Sequence, residues 1–454
     1  MKFQTINPVN GDTIQEYDSM GKSQVEQKVK SARTAFEAWK ETKLMERNRL
    51  VKKLGKRLIK KKKDLAESIT TEMGKPIKES TAEIEKCAAL CEYFAKHAKR
   101  FLRDEKIKTE YQKSYAAFQP LGVVGSVMCW DFPMWQALRF AVPTILAGNV
   151  EIVKPSSITP ESGGALLERL FKDCKFPLGV FSAVIGDSNT GSILIESNID
   201  AVSFTGSSET GIKVASMAMK DLKKVVLELG GSDPFIVLGD ANVDSAVDAA
   251  VAARFLNCGQ SCIAAKRFII IREVADQFIG KFTEKAKALK VGDPMQPDTD
   301  MGPMVREDKR QKLEKQINAS TSQGAKILLG GQKQEGKGFF FQPTVLGSVN
   351  NDMVISKEEV YGPAAPIIVV DNEDDTIRIA NDTQYGLGAS IWTENREKAE
   401  QMAKKINAGL IFVNKGVRSD PRLPFGGVKK SGFGRELYKY GMLEMTNIKS
   451  VVIN

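Results

Sequence analysis

The chain has 454 residues, 42% of them hydrophobic and 27% charged, and its 66 basic and 56 acidic residues leave a net charge of +10. That length and balance belong to a soluble globular protein with room for two or three domains and sizeable cores. No apolar run is long enough for a spanning helix, and there is no internal repeat or low-complexity tract.

The basic excess is concentrated in Lys52, Lys53, Lys56, Arg57 and Lys60 to Lys63. Leu50, Leu54, Leu58, Leu65 and Ile69 recur there at helical spacing, so the lysines read as the solvated side of an amphipathic helix. No aromatic-interleaved basic strand or DNA-binding motif accompanies them, and no nucleic-acid partner is expected. The six cysteines, with no signal peptide ahead of Asn7-Pro8, point to free thiols in a reducing cytoplasm. The single histidine, His97, falls in a helical pattern where a packing or surface role is expected. With cysteines paired only as Cys87/Cys91 and Cys258/Cys262, neither a zinc site nor a histidine triad can be assembled, and no metal is expected. An enzyme made from this chain would work through cysteine, carboxylates and a cofactor.

In chain order, residues 1 to about 20 read as a short strand and turn. A capping box of Ser23 and Glu26 then opens a helix that buries Val25, Val29, Phe36 and Trp39. Helical segments follow at 44–74 and 78–103, and then a charged, β-prone piece from Lys106 to Phe118 ends at Pro120. From Gly122 apolar runs (Val123 to Met128, Val150 to Val153, Val180 to Ile185, Ala201 to Phe204, Val225 to Leu227) alternate with helix-like segments. This predicts an α/β fold with a doubly wound parallel sheet, a class that binds ligands at the carboxyl ends of its strands. A second α/β unit starts at Pro234 to Leu238 and 243–256, and Ile448 to Ile453 reads as a terminal edge strand that needs a partner.

Neither GxGxxG nor the nucleotide-triphosphate loop is present. Phe204-Thr205-Gly206-Ser207-Ser208-Glu209-Thr210-Gly211 is a strand end, glycine turn and helix start; it suits a pyrophosphate, or is simply a capped helix. Asn257-Cys258-Gly259-Gln260-Ser261-Cys262 sets a cysteine in a glycine-turned loop, downstream of Glu228-Leu229-Gly230-Gly231. The pair offers a nucleophile and a general base, against the alternative of an inert packed cysteine.

Taken together with Glu358-Glu359-Val360-Tyr361-Gly362-Pro363 and Pro424-Phe425-Gly426-Gly427, these motifs make the chain resemble the aldehyde dehydrogenase superfamily over essentially its whole length. The resemblance implies that Cys262 attacks an aldehyde carbon to give a thiohemiacetal, that hydride loss to a nicotinamide leaves a thioester, and that Glu228 activates the water that hydrolyses it. It places Trp130, Thr205, Gly206, Ser207, Leu229 and Gly230 on the cofactor. It puts Glu359 on the nicotinamide ribose, with Tyr361 where the family usually has phenylalanine. Lys154 and Ser157 fall at the adenosine ribose. A serine where NAD-preferring members carry glutamate removes the repulsion of a 2′-phosphate, so NADP is the expected cofactor and NAD a possible one.

The departure from the family that bears on catalysis is at Asp131. The family's oxyanion-hole run Trp-Asn-Phe-Pro reads Trp130-Asp131-Phe132-Pro133 here, and loss of such a donor costs roughly 3–4 kcal/mol in comparable sites. The expected consequences are reduced or absent activity, a protonated Asp131 that still donates, or an oxyanion held by the Cys262 N–H alone. A catalytically silent homologue is the reading this residue keeps open.

Within the superfamily the chain is similar to the succinate-semialdehyde and small-aldehyde branch. Arg139 stands where carboxylate-recognising members hold an arginine, although it could also lie on an exposed helix side. A second arginine of some semialdehyde enzymes falls at Leu256, for which Arg418, Ser419 and Arg422 are candidate substitutes. Phe132, Trp135 and Phe425 are expected to wall the channel, with Ser261 and Ser419 also at the substrate. Glyceraldehyde and lactaldehyde are the rival substrates. The resemblance also implies a cofactor domain (1–102 and 120–229), a catalytic domain (230–437) and an oligomerisation element (103–119 and 438–454), and hence a dimer or tetramer.

Overall fold

The computed structural model describes residues 2–454. Lys2–Ile6 and Thr13–Asp18 form an antiparallel hairpin, one strand more than the sequence pattern suggests. Helix Lys22–Trp39 then buries Val25, Val29, Phe36 and Trp39, as the spacing requires. Its start corrects the capping assignment. Gly21 is the N-cap and its N–H donates to the Gln24 side chain at 3.0 Å, so the helix starts two residues before Ser23, with only the return half of a capping box. The expected helix 44–74 is divided at Lys61, whose backbone (φ −102°, ψ 14°) separates Leu44–Lys60 from Lys62–Met73 within the lysine run. Helix Ile77–Phe101 completes the set. Leu50, Leu54, Leu58, Leu65 and Ile69 are buried while Lys52, Lys53, Lys56 and Lys60 are exposed, which makes the basic run a solvated face. His97 packs between Tyr93 and Phe101.

Each of two parallel sheets carries its own apolar core. In the first, Val123–Val127 is central, with Val150–Lys154 and Phe181–Ala183 on one side and Ala201–Thr205 and Lys224–Glu228 on the other. The chain leaves this central strand in both directions, so the strand order reverses there and opens a crevice at the carboxyl ends, where α/β sheets bind ligands. Asp131, Lys154, Gly206 and Glu228 all stand at or just past those ends.

The second sheet runs Lys326–Leu329, Thr344–Gly347, Ala364–Val370, Ala265–Ile271, Asp233–Val237, Gly388–Trp392 and Leu410–Val413, parallel except for the first pair. From it the glycine-rich segment returns to the first sheet, where Gly432–Phe433 lies antiparallel on Lys224–Glu228. Gly432 has φ +121° and a Cβ there would meet the Leu227 carbonyl oxygen at 1.9 Å, so only glycine permits this approach. The return carries Phe425 and Glu436 to the first sheet's site.

A third, antiparallel sheet pairs Thr446–Ile453 with Lys113–Pro120 and Glu105–Ile107. Thr446–Ile453 is its edge, as expected for the terminal strand, and Ile448, Val452 and Ile453 are exposed on it. Helix Tyr438–Glu444 packs instead on Ile77–Phe101 and Pro133–Leu146. Among the described residues no helix is long and apolar enough to cross a membrane.

Candidate active site

The nucleophile loop holds its shape against backbone preference. Asn257, Cys258 and Gly259 follow one another at φ +51°, +56° and +70°, a region that side-chain-bearing residues rarely enter. Buried Arg254 pins this turn by donating to the carbonyls of Gly259 at 2.6 Å, Ala265 at 2.9 Å and Gly362 at 2.9 Å. A Cβ on Gly259 would lie 2.3 Å from the Gly362 oxygen, so the loop and the Tyr361-Gly362 segment touch through glycine. Glu79 accepts the Asn257 N–H at 2.9 Å, and the Asn257 amide donates to the Asp131 carbonyl at 3.0 Å and to the Gln260 carbonyl at 2.9 Å. Lys266 Nζ ties the downstream side by donating to the Cys262 carbonyl (2.9 Å), the Gly231 carbonyl (2.8 Å) and Glu359 Oε1 (2.7 Å). None of Arg254, Lys266 or Glu79 is marked by the sequence, because each also reaches an element distant in the chain: Gly362 for Arg254, Gly231 and Glu359 for Lys266, and Asn257 for Glu79.

Held in this way, Cys262 is half-buried and lines two cavities, one on each side of it. Trp130, Thr205, Gly206, Ser207, Glu359 and Tyr361 line the first cavity, together with Asp131, Glu228, Leu229 and Gly230. Helix Glu307–Ser322 adds Lys309, Lys312 and Gln316, which the sequence did not mark. This lining fits a nucleotide. A side chain on Gly230 would meet Glu359 Oε2 at 2.2 Å, Thr205 Oγ1 is buried without a partner, and a helix N-terminus opens beside Gly206. The Ser207 hydroxyl is already used as the N-cap of Ser208–Met219, accepting the Thr210 N–H at 3.3 Å, so the capped-helix reading holds for its side chain. Lys154 and Ser157 lie at the end of Val150–Lys154, apart from this cavity. Burial pushes the Lys154 ammonium down to about 8, against the charge of Asp187.

The position that departs from the family is occupied on both oxygens. Tyr361 Oη donates to Asp131 Oδ2 at 2.8 Å and Gln136 Nε2 donates to Asp131 Oδ1 at 3.1 Å. Asp131 therefore accepts a hydrogen bond on each of its oxygens in this site. The Cys262 N–H has no acceptor among the described residues and is the donor left beside the sulfur.

The second cavity is lined by all six residues expected at the substrate: Phe132, Trp135, Arg139, Ser261, Ser419 and Phe425. Arg139 is buried rather than on an exposed helix side, and two groups hold it. Its guanidinium pairs with Glu436 and stacks over the Phe425 ring at 4.5 Å, leaving Nη2 without a hydrogen-bond partner. Leu256 contributes an aliphatic wall and Arg418 an exposed cation. Arg422 does not compensate for Leu256, since it pairs with Asp420 at 2.6 Å outside the cavity. Lys86, which the sequence did not mark, lines the cavity from helix Ile77–Phe101.

Electrostatics set the resting state. Burial pushes the Cys262 thiol up, the Asp131 charge adds to this, and Arg139 and Lys266 oppose it. Burial likewise raises the Glu228 carboxyl well above the usual range, Glu436 adds to it, and both Glu228 oxygens lack hydrogen-bond partners. Burial thus disfavours the charged form of both groups, which line the first cavity together.

A family model described as the aldehyde dehydrogenase family matches residues 1–451. The chain belongs to the aldehyde dehydrogenase family. As an aldehyde dehydrogenase it is 42% identical over 450 residues to the Escherichia coli (strain K12) succinate semialdehyde dehydrogenase [NAD(P)+], covering 98% of this chain and 97% of that protein. It is 39% identical over 457 residues, the full length of both, to succinate-semialdehyde dehydrogenase [NADP(+)] 1 of Mycobacterium bovis. The Streptococcus pyogenes succinic semialdehyde dehydrogenase, solved in complex with NADP+, superimposes with a TM-score of 0.97 at 33% identity over 99% of each chain. The α/β architecture expected from the apolar runs is therefore the one this aldehyde dehydrogenase adopts.

Proposed function

We propose that this aldehyde dehydrogenase oxidises succinate semialdehyde to succinate, with NADP preferred and NAD accepted as the oxidant. The observation that carries the reading is the position of Cys262 in the wall of two cavities, one glycine-rich and nucleotide-fitting, the other walled by aromatic and cationic side chains. Relatives named for this substrate and cofactor, about 40% identical end to end, support it.

In this reading the Cys262 sulfur releases its proton to solvent and bonds the aldehyde carbon, while the Cys262 N–H faces the developing oxyanion. A nicotinamide held in the first cavity would supply the acceptor for the hydride of that carbon. Glu228 then removes a proton from water, the hydroxyl replaces sulfur on the acyl carbon, and the carboxylate leaves as the thiol is restored. Arg139 and Arg435 both lower the Glu228 carboxyl from where burial puts it, which helps it to act as a base. Glu359, oriented by Lys266 and the Gly231 N–H, receives the nicotinamide ribose, and Lys154 with Ser157 receives the adenosine end.

We assign the cofactor domain to 1–102 and 120–229, the catalytic domain to 230–437 and the oligomerisation element to 103–119 and 438–454. The unpaired edge Thr446–Ile453, with its exposed Ile448 and Val452, supports a homo-oligomer formed through that sheet, and we assign the enzyme to the cytoplasm.

A rate panel of succinate semialdehyde, glyceraldehyde, lactaldehyde and a medium-chain aliphatic aldehyde, each with NADP and NAD, tests the reading. The acidic aldehyde with NADP is expected to give the highest kcat/KM. A panel led by a hydroxyaldehyde would overturn the substrate, and a lead by NAD would overturn the cofactor.

A further inference from the structure

The substrate cavity contains more positive charge than the family's arginine position accounts for. Arg139 is largely committed, since its guanidinium is paired with Glu436 and stacked on Phe425. Leu256 brings no charge, and Arg422 is neutralised by Asp420 outside the cavity.

Lys86 is differently placed. Its Nζ sits 3.9 Å from the centre of the Trp135 ring and donates to Ser419 Oγ at 2.6 Å, and both of those residues line the cavity that reaches Cys262. Among the described residues no carboxylate lies within ion-pairing distance of it. Two acidic side chains of its own helix are used elsewhere: Glu85 pairs with Lys62, and Glu83, whose charge acts on Lys86, is fully used. One Glu83 oxygen accepts the N–H groups of Met134 and Trp135 at 3.0 and 2.9 Å, and the other pairs with Lys75. An ammonium has three donors, and Ser419 takes one. A largely desolvated cation with donors to spare and no counter-ion stabilises an anion brought into its cavity.

We propose that Lys86, with Ser419, is the cationic seat for the distal carboxylate of an acidic aldehyde, taking the part that Leu256 does not fill. The inference rests on the acidic-aldehyde reading above and adds to it the residue that confers the selectivity. The Trp135 face holds the ammonium in the cavity wall through its ring quadrupole, and the Ser419 hydroxyl, oriented by Lys86, can turn its own proton toward the substrate. Burial pushes the Lys86 ammonium down to about 8, with Arg139 adding to the shift and Glu83 opposing it; an incoming carboxylate reverses that direction.

The test is the ratio of kcat/KM for succinate semialdehyde to that for butanal, its uncharged counterpart of equal chain length. Lys86→Met is expected to lower this ratio tenfold or more, and Lys86→Arg to retain most of it. A high ratio in the wild type that survives within twofold in Lys86→Met would overturn the role of Lys86 alone. A wild-type ratio near one would overturn the acidic-aldehyde reading itself. Should Lys86→Met not fold, protection of Lys86 from acetic anhydride by added succinate, read by mass spectrometry on the wild-type protein, decides the question. Protection supports the seat, and equal labelling with and without succinate overturns it.

Discussion

Tyr361 Oη donates to Asp131 Oδ2 at 2.8 Å, which joins the two residues of the site that differ from the usual family pattern. Each change is intelligible through the other. A phenylalanine at 361 would leave one Asp131 oxygen buried without a donor, whereas an asparagine at 131 would offer Tyr361 an amide oxygen instead of a carboxylate. Asp131→Asn should therefore keep the Tyr361 bond through Oδ1 and replace the oxygen facing Gln136 Nε2 with Nδ2, which cannot accept from it and is left to donate to the oxyanion. Turnover is expected to rise by about two to three orders of magnitude, read as reduced nicotinamide formed per second, in proportion to the roughly 3–4 kcal/mol of such a donor. Tyr361→Phe alone is expected to lower stability by about 1–3 kcal/mol in a urea melt, the cost of an unsatisfied buried acceptor. Unchanged turnover in Asp131→Asn would show that the Cys262 N–H already suffices.

The same residue governs the pH profile. Cys262 acts as a thiolate and Glu228 as a carboxylate, and both are held up by burial, so activity should climb as pH rises and each loses its proton. The Asp131 charge is the second cause that raises the thiol. Removing that charge in Asp131→Asn should move the thiol limb to lower pH, measured as the rate of Cys262 alkylation by iodoacetamide against pH. A limb that stays in place would mean that burial alone sets the thiol.

Cofactor choice should follow position 157. A glutamate there would bond a ribose 2′-hydroxyl and repel a 2′-phosphate. Ser157→Glu is expected to raise KM for NADP tenfold or more and to lower KM for NAD, with Lys154 left in place. Equal changes for both cofactors would place the 2′-phosphate elsewhere.

Arg254 should be indispensable to the loop that presents the thiol. It is fully buried and donates to three carbonyls, and burial pushes its guanidinium down to about 10. Arg254→Met leaves those carbonyls unsatisfied and removes the restraint on three consecutive left-handed residues. A loss of about 3 kcal/mol or more is expected in denaturant unfolding, together with slower alkylation of Cys262. A variant with native stability and labelling would show that Asn257 and Lys266 hold the loop by themselves.

Much of this protein was legible in the chain alone, for reasons that lie in local periodicity. The continuous apolar runs from Val123 to Leu227 could only be strands covered on both faces, and their alternation with helices required a parallel sheet with its ligand site at the carboxyl ends. The motifs around Glu228, Cys262, Glu359 and Phe425 carried the family and, with it, part of the lining of both cavities, but not Lys309, Lys312, Gln316 or Lys86. The misplaced cap at Ser23 and the unbroken helix 44–74 were local ambiguities, in which neighbouring frames satisfied the same pattern.

Tertiary structure alone decided the partnerships. No spacing rule links Arg139 to Glu436, Tyr361 to Asp131, or Lys86 to Ser419, because each pair is far apart in sequence and meets only when the glycine-rich return lays Gly432–Phe433 on the first sheet and the two α/β units close over Cys262. Residue type shows which side chains can carry charge. Whether that charge is already neutralised, as in Arg139, or still available, as in Lys86, depends on burial and on counter-ions supplied by other elements, and these exist only in the folded chain.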